Sequence, residues 1–514
     1  MKKFLLPPKA ERFCVWMLSL LCLLLFAVLF FNSFYSSWLN QELGNEYVYY
    51  QRDSLLGNLV FLLAAAAGMS LLARLFDKAF PRLSMNRLAL VMSVLSVCIS
   101  LWWVQASATA PQADQQFITE QAALFNAGDF SGLDKGAYVG IYQHQLGIIT
   151  ILRVLDWIAP VFHTESWRIF QLLSALSTGL LVYSGFRLVA RITRGRRQAE
   201  LLYLLLAFVC APMYIYTAFV YGEAASTAFV MLAGWMFLEC LHTPRPRTMA
   251  GLYLAIVMAL LLRTNTVIVM IALAVVAVIK LLQRLDRGHV CTALVLAAAM
   301  LTPTLLTTAL YHDKIPADSK PLPAMLFVAM GTNDDAINAG WYNGYNTRKY
   351  EYYQFDPQAA TEVAQKDVAA FLQTCREDPA YAVNFYKRKI FSQWNAPMYQ
   401  CIVMNNHIEG TQSALVQSIY QGTGNRILTG YMNIYQLVIY GGVLVFLAVA
   451  LKKRHPLESY PLLIAVFGGF LFSVLWEAKA RYVYPYFLMM IPYAAMGIGA
   501  VSDGLWRRLD KKAA

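Results

Sequence analysis

Apolar runs close to the thickness of a lipid bilayer recur along most of this chain. A helix rises 1.5 Å per residue, so a run of about 20 apolar residues spans ~30 Å of hydrocarbon. Inside hydrocarbon each backbone N–H and C=O needs a partner, which leaves helices or a closed barrel as the spanning structures. Runs of this length favour helices. Of the 514 residues 58% are hydrophobic and 14% charged, against about 25% charged in a soluble domain. The chain therefore reads as an all-α polytopic membrane protein.

Twelve spans are expected, at about 13–38, 54–76, 85–106, 167–190, 200–219, 224–242, 248–262, 265–284, 290–311, 430–451, 458–475 and 483–505. The net charge of +12 invites a nucleic-acid partner, but the excess sits in short loops of one side. Arg74/Lys78/Arg82/Arg87, Arg191/Arg194/Arg196/Arg197 and Lys452/Lys453/Arg454 are examples. That bias is the positive-inside pattern and predicts both termini in the cytoplasm. The stretch from Phe13 to Trp38 is too long for a signal-peptide core and reads as a retained first span. Segment 141–163 is apolar but carries His144, Arg153 and Asp156. Counting it as a span would move Arg191–Arg197 outside, so it is expected to lie in the external interface.

Residues 115–127 predict a short helix ended by Gly128. Residues 312–429 form one large polar insertion, too long to be a structureless loop. Asp356-Pro357 and Asp378-Pro379 predict helix starts within it, running to Cys375 and Trp394. The organisation expected is a tail with two added spans (1–84), a core module with external loop 107–166 (85–311), an external cap (312–429) and a three-span segment with a cytoplasmic tail (430–514). Of eight cysteines, six lie in or beside apolar segments and read as small hydrophobes. Cys375 and Cys401 share the long loop, and a disulfide between them is left open.

Asp114 lies just past the third span. A carboxylate there can take a proton from an alcohol; a helix cap or a solvated charge is the plainer alternative. Glu223 opens another short turn on the same side, where a charge facing headgroups is also plausible chemistry. Arg263 interrupts an apolar stretch, which is costly unless it has a partner, faces a polar cavity or snorkels. Glu477, Lys479, Arg481 and Tyr482 precede the last span. Lys and Arg there suit a phosphate, and an interfacial anchor is the alternative. Tyr142 and His144, in YQHQLG, close the loop that Asp114 opens. In the long insertion, Lys389 suits a lipid phosphate and Trp394 a sugar ring.

The order of these features resembles the membrane glycosyltransferases of the C-type fold (GT-C), most nearly the protein O-mannosyltransferase and aminoarabinose transferase families. Asp114 matches their early external acid, Glu223 the second acid, Arg263 a basic hairpin residue and Glu477–Tyr482 a late Glu/Lys/Arg-Tyr stretch. The proline that precedes the Tyr/His stretch in those families is absent here. The resemblance implies a polyprenyl-phosphate-linked sugar donor, an acceptor hydroxyl and an inverting displacement with Asp114 as general base, in a cell membrane. No cofactor is required by these residues, although an acid pair can bind Mg²⁺ or Mn²⁺. The other readings are a transporter or flippase of lipid-linked sugars, or a polysaccharide polymerase or ligase.

Overall fold

The computed structural model describes residues 7–39, 46–335, 338–405, 407–453 and 455–513, without the side chains of residues 8 and 507–513; Arg454 lies outside the described residues. Ten helices among them are long and apolar enough to cross a membrane. A broken pair, Arg197–Phe208 and Ala211–Ala218, bent by 55°, passes the same test when taken together. Pro212 sits in the first turn of the second piece, where its missing N–H removes no helical bond.

Each of the twelve expected spans coincides with a helix or, at 200–219, with that broken pair. Pro246–Leu262 and Pro461–Leu475 are short, at 17 and 15 residues, but both run between the same two faces as their neighbours. One face is fixed by a polar cluster: Lys280 bonds Glu11 at 3.0 Å and Glu458 at 3.4 Å, and His242 meets Glu458 at 3.2 Å. This end also carries the arginine-rich turns, and it is called the basic face below. At the opposite, loop face, Leu262 meets Gly222, and Trp476 stacks on Phe327.

Segment Gln143–Phe162 passes the test of length and composition for a span, yet its polar contacts from Gln145 to Asp156 are made at the loop face. Gln145 bonds the Tyr221 hydroxyl, and Thr150 and Arg153 meet the Tyr311 hydroxyl at the end of Arg287–Tyr311. The next helix, Ser166–Thr193, starts at that face as well, with Arg168 on Glu409 and Gln171 on the carbonyls of Thr109 and Ala218. A crossing would carry one end away from these partners. The segment lies along the face, as its charges require.

Leu56, Phe61 and Leu63 on Leu55–Ala79, and Leu294 and Leu305 on Arg287–Tyr311, are exposed. Such rows of apolar side chains suit contact with lipid rather than water. The centre holds Ser166–Thr193, Glu223–His242, Thr423–Lys453 and Ala480–Ala513. A Cβ at Gly497 would stand 2.0 Å from the Gly442 carbonyl oxygen, so the last two of these cross through backbone contact that only small residues permit.

The helix starts in the long insertion follow their Asp-Pro signals. The Asp356 carboxylate accepts from the N–H groups of Gln358 and Ala359 ahead of Pro357–Glu377. Asp378 does the same for Pro379–Trp394. The Asp114–Asn126 helix is followed by Gly128 at φ 87°. One element departs from the all-helical expectation: Ser36–Leu39 pairs antiparallel with Tyr49–Arg52. The first helix ends at Tyr35, and the aromatic side chains Trp38, Tyr49 and Tyr50 suit the paired strands. Cys375 and Cys401 are unpaired, and Cys401 is fully buried.

Candidate functional site

Sequence separations of more than 300 residues close at one place on the loop face. A cavity of about 350 Å³ is lined by Asp114, Tyr142, His144, Glu477, Lys479, Arg481 and Tyr482, all expected from the sequence. Glu46, Gln115, Tyr138, Gln145, Tyr221 and Tyr342 join them. A neighbouring recess of about 290 Å³ shares His144, Arg481 and Tyr482 and adds Arg263 and Asn265.

Asp114 occupies the first turn of Asp114–Asn126, where a negative charge is favoured by the helix dipole. The next residue fixes that helix end: the Gln115 amide donates to the Met404 carbonyl and accepts from the Val220 N–H at 2.8 Å. The Tyr138 hydroxyl donates to Asp114 Oδ1 at 3.0 Å and accepts from Gln145. Oδ2 faces the Arg481 guanidinium at 3.8 Å, beyond hydrogen-bond reach. The carboxylate side chain is 42% exposed, so it opens onto the cavity with one oxygen held and the other available.

Arg481 is buried. Its backbone N–H donates to Gln400 Oε1, and its guanidinium lies 5.2 Å from the Tyr221 ring. Lys479 bonds Glu46 at 2.7 Å and stands 4.1 Å over the Tyr342 ring. Glu477 accepts from the Tyr482 hydroxyl. Burial pushes the Glu477 carboxyl above the usual carboxylate range, while Lys479, the Tyr482 bond and Arg481 oppose the shift.

Glu223 does not reach the main cavity. It is buried beneath it, 3.3 Å from Arg263, beside a narrow space shared with Arg481 and Tyr482. Gly222 makes this approach possible. It adopts φ 93°, and a Cβ on it would stand 2.7 Å from the Leu262 carbonyl oxygen. Arg263 also lies 4.8 Å from the Tyr221 ring. Arg263 is thus the ion-pair partner of Glu223, and Arg481 that of Asp114. Among the described residues no group of three His, Cys, Asp or Glu side chains converges.

Two expected contacts are corrected. The Lys389 ammonium is buried against the carbonyl oxygens of Gly331 and Val474. Burial lowers its pKa to about 7, with Glu477 acting the other way. It ties the long insertion to the end of Pro461–Leu475 rather than facing the cavity. Trp394 is fully buried, donates to Ser473 Oγ and stacks with Tyr486. Its ring faces are taken up by packing, so it offers no platform for a sugar.

The residues missed by the sequence reading are mostly uncharged. Tyr138, Gln145 and Tyr221 form a chain of hydrogen bonds around Asp114. Gln145 lies within the YQHQLG stretch and Tyr138 four residues before it, and that proximity is the signal that could have found them. Glu46 lies between the first two spans, with no local pattern linking it to Lys479.

A family model described as "Conserved hypothetical integral membrane protein" matches residues 13–352. That range includes Asp114, Tyr142, His144, Glu223 and Arg263 and stops short of Glu477–Tyr482. The crystal structure of the oligosaccharyltransferase of Archaeoglobus fulgidus in the apo form is similar at 12% identity and a TM-score of 0.40. The match covers 83% of this chain and 52% of that one, so the chain spans about half the length of that enzyme. A likeness this slight carries no assignment of activity. No curated protein matches the chain.

Proposed function

This chain belongs to the family of conserved hypothetical integral membrane proteins, and we propose that it is a membrane glycosyltransferase of the C-type class. The observation that carries the reading is the half-exposed Asp114 carboxylate on a cavity wall, 3.8 Å from the buried Arg481 guanidinium. A base for an acceptor and a cation for a departing phosphate stand side by side. The donor is a polyprenyl-phosphate-linked sugar, and the acceptor is a hydroxyl of a cell-envelope glycan, lipid or protein. The basic opposite face supports a cavity on the outer side of the cell membrane, with both termini in the cytoplasm.

In the reaction, Asp114 takes the acceptor's proton as the acceptor oxygen attacks the anomeric carbon. The bond from that carbon to the phosphate oxygen breaks, and its electron pair leaves with the phosphate. A single displacement inverts the anomeric configuration. The leaving phosphate needs charge stabilisation more than a proton, which Arg481 and Lys479 supply, with Arg263 at the adjoining recess. Glu223 holds Arg263 in place. Tyr142, His144 and the Glu477–Tyr482 pair shape the donor's sugar site. No step requires a metal.

The test is sugar transfer by the purified chain in liposomes, using a panel of radiolabelled polyprenyl-phosphate sugars, wild type beside Asp114→Asn. Label reaching an acceptor with wild type alone supports the reading. Label that crosses the membrane without transfer overturns it in favour of a flippase. A requirement for a pyrophosphate-linked oligosaccharide would point instead to a polymerase or ligase.

A further inference from the structure

The basic face has a cavity of its own, of about 310 Å³, between the ends of Ser166–Thr193, Thr423–Lys453 and Ala480–Ala513. Arg191, Arg194, Arg196 and Lys453 line it, with Glu458 and Asp503 as its acids. Glu458 is already engaged by His242 and Lys280. None of the four cations makes an ion pair among the described residues, and the Arg191 Nε–H is buried with no acceptor. Their neighbours on the same face differ. Arg197 bonds Asp77 and two carbonyls, Lys280 bonds two glutamates, and Arg187 lies over Trp235. An orientation bias explains why cations collect on this face. It does not explain four that surround one concavity while acids nearby are shared elsewhere.

The floor of the cavity is apolar, formed by Leu238, Phe446 and Met496. A rim of cations over a hydrocarbon floor matches a phosphate attached to a lipid, with the phosphate at the guanidinium groups and the glycerol and first methylenes below. We propose that this cavity binds the phosphate of an anionic membrane phospholipid, at a site separate from the loop-face cavity. A free inorganic phosphate would satisfy the cations but leave the floor bare.

The experiment uses the full chain in nanodiscs of phosphatidylcholine containing a small fraction of phosphatidylglycerol. Retained lipid is measured by native mass spectrometry, and thermal stability is followed in parallel. Wild type is expected to retain phosphatidylglycerol over phosphatidylcholine by about tenfold, or ~1.4 kcal/mol. Arg191→Gln/Arg194→Gln/Lys453→Gln loses that preference. Arg247→Gln, an exposed cation elsewhere on this face, keeps it. Equal retention of the two lipids by wild type, or an undiminished preference in the triple variant, overturns the proposal. Displacement of phosphatidylglycerol by millimolar inorganic phosphate would overturn the lipid assignment in favour of a free anion. Should the triple variant fail to fold, Lys453→Gln alone is read the same way, with a smaller loss expected.

Discussion

The two cavities sit at opposite ends of one bundle and treat charge in opposite ways. At the loop face the three cations that line the cavity and its recess each have an anionic neighbour: Arg481 has Asp114, Arg263 has Glu223 and Lys479 has Glu46. At the basic face Arg191, Arg194, Arg196 and Lys453 line a hollow without ion pairs among the described residues. Burial accounts for the difference. Glu223, Glu477, Lys479 and Arg481 are each less than a tenth exposed, and an unpaired charge at that depth is expensive. The paired network holds its members in fixed positions and leaves one half-exposed carboxylate aimed at the cavity. An arrangement of this kind suits chemistry on a bound substrate, whereas a set of unpaired cations suits the capture of an anion.

The largest effect is expected where the comparison is sharpest. Asp114→Asn removes the base and leaves the Tyr138 bond and the helix end in place. Turnover should fall by about 10²–10⁴-fold, the usual contribution of a positioned base, in a protein that still folds. Measured sugar transfer close to wild type would end the catalytic role of Asp114. Arg481→Ala should lower both turnover and stability, because it leaves Asp114 without a nearby guanidinium and takes a second cation away from Glu223, which keeps Arg263. Glu223→Ala breaks a buried pair and should destabilise by about 3–5 kcal/mol, read from thermal unfolding. A Glu223→Ala protein as stable as wild type would show that the loop-face pairs are not what the burial of these charges depends on.

How much of this was legible beforehand differs between the two scales. The spans were readable because hydrocarbon imposes one length on every crossing helix, and the Asp-Pro starts were readable because the capping geometry is local. Asp114, Arg263 and Arg481 could be picked out because a charge beside an apolar run is rare. The pairings were not readable. Glu46 meets Lys479 through tertiary packing alone, and Tyr138, Gln145 and Tyr221 are uncharged side chains with no special spacing. Lys389 and Trp394 misled for a related reason: polar and aromatic residues in a long insertion look available to a ligand. Carbonyl oxygens of Gly331 and Val474 and the ring of Tyr486, all distant in sequence, take them into the core.

A smaller effect should appear in the pH profile. Burial raises the Glu477 carboxyl, so its protonated form persists to higher pH than an ordinary glutamate. The carboxylate holds the Tyr482 hydroxyl, and activity should rise as pH climbs through that raised value. Glu477→Gln removes the titration, and the acid limb of turnover should move to lower pH. A limb unmoved by the substitution would assign it to another group and weaken the contribution of Glu477 to the paired network.

The smallest effect tests whether the network ends where the cavity wall ends. Trp394→Phe keeps most of the packing against Tyr486 and Phe470 and loses the bond from Nε1 to Ser473. Losing one buried hydrogen bond costs about 1 kcal/mol, with a further penalty when the partner is left unsatisfied. The Ser473 hydroxyl also donates to the Phe470 carbonyl, so it retains a partner and the loss should stay near the lower figure. The melting temperature should fall by a few degrees, and the KM for the donor should not change. A raised KM with intact stability would return Trp394 to the substrate and extend the site beneath the wall that Lys389 supports.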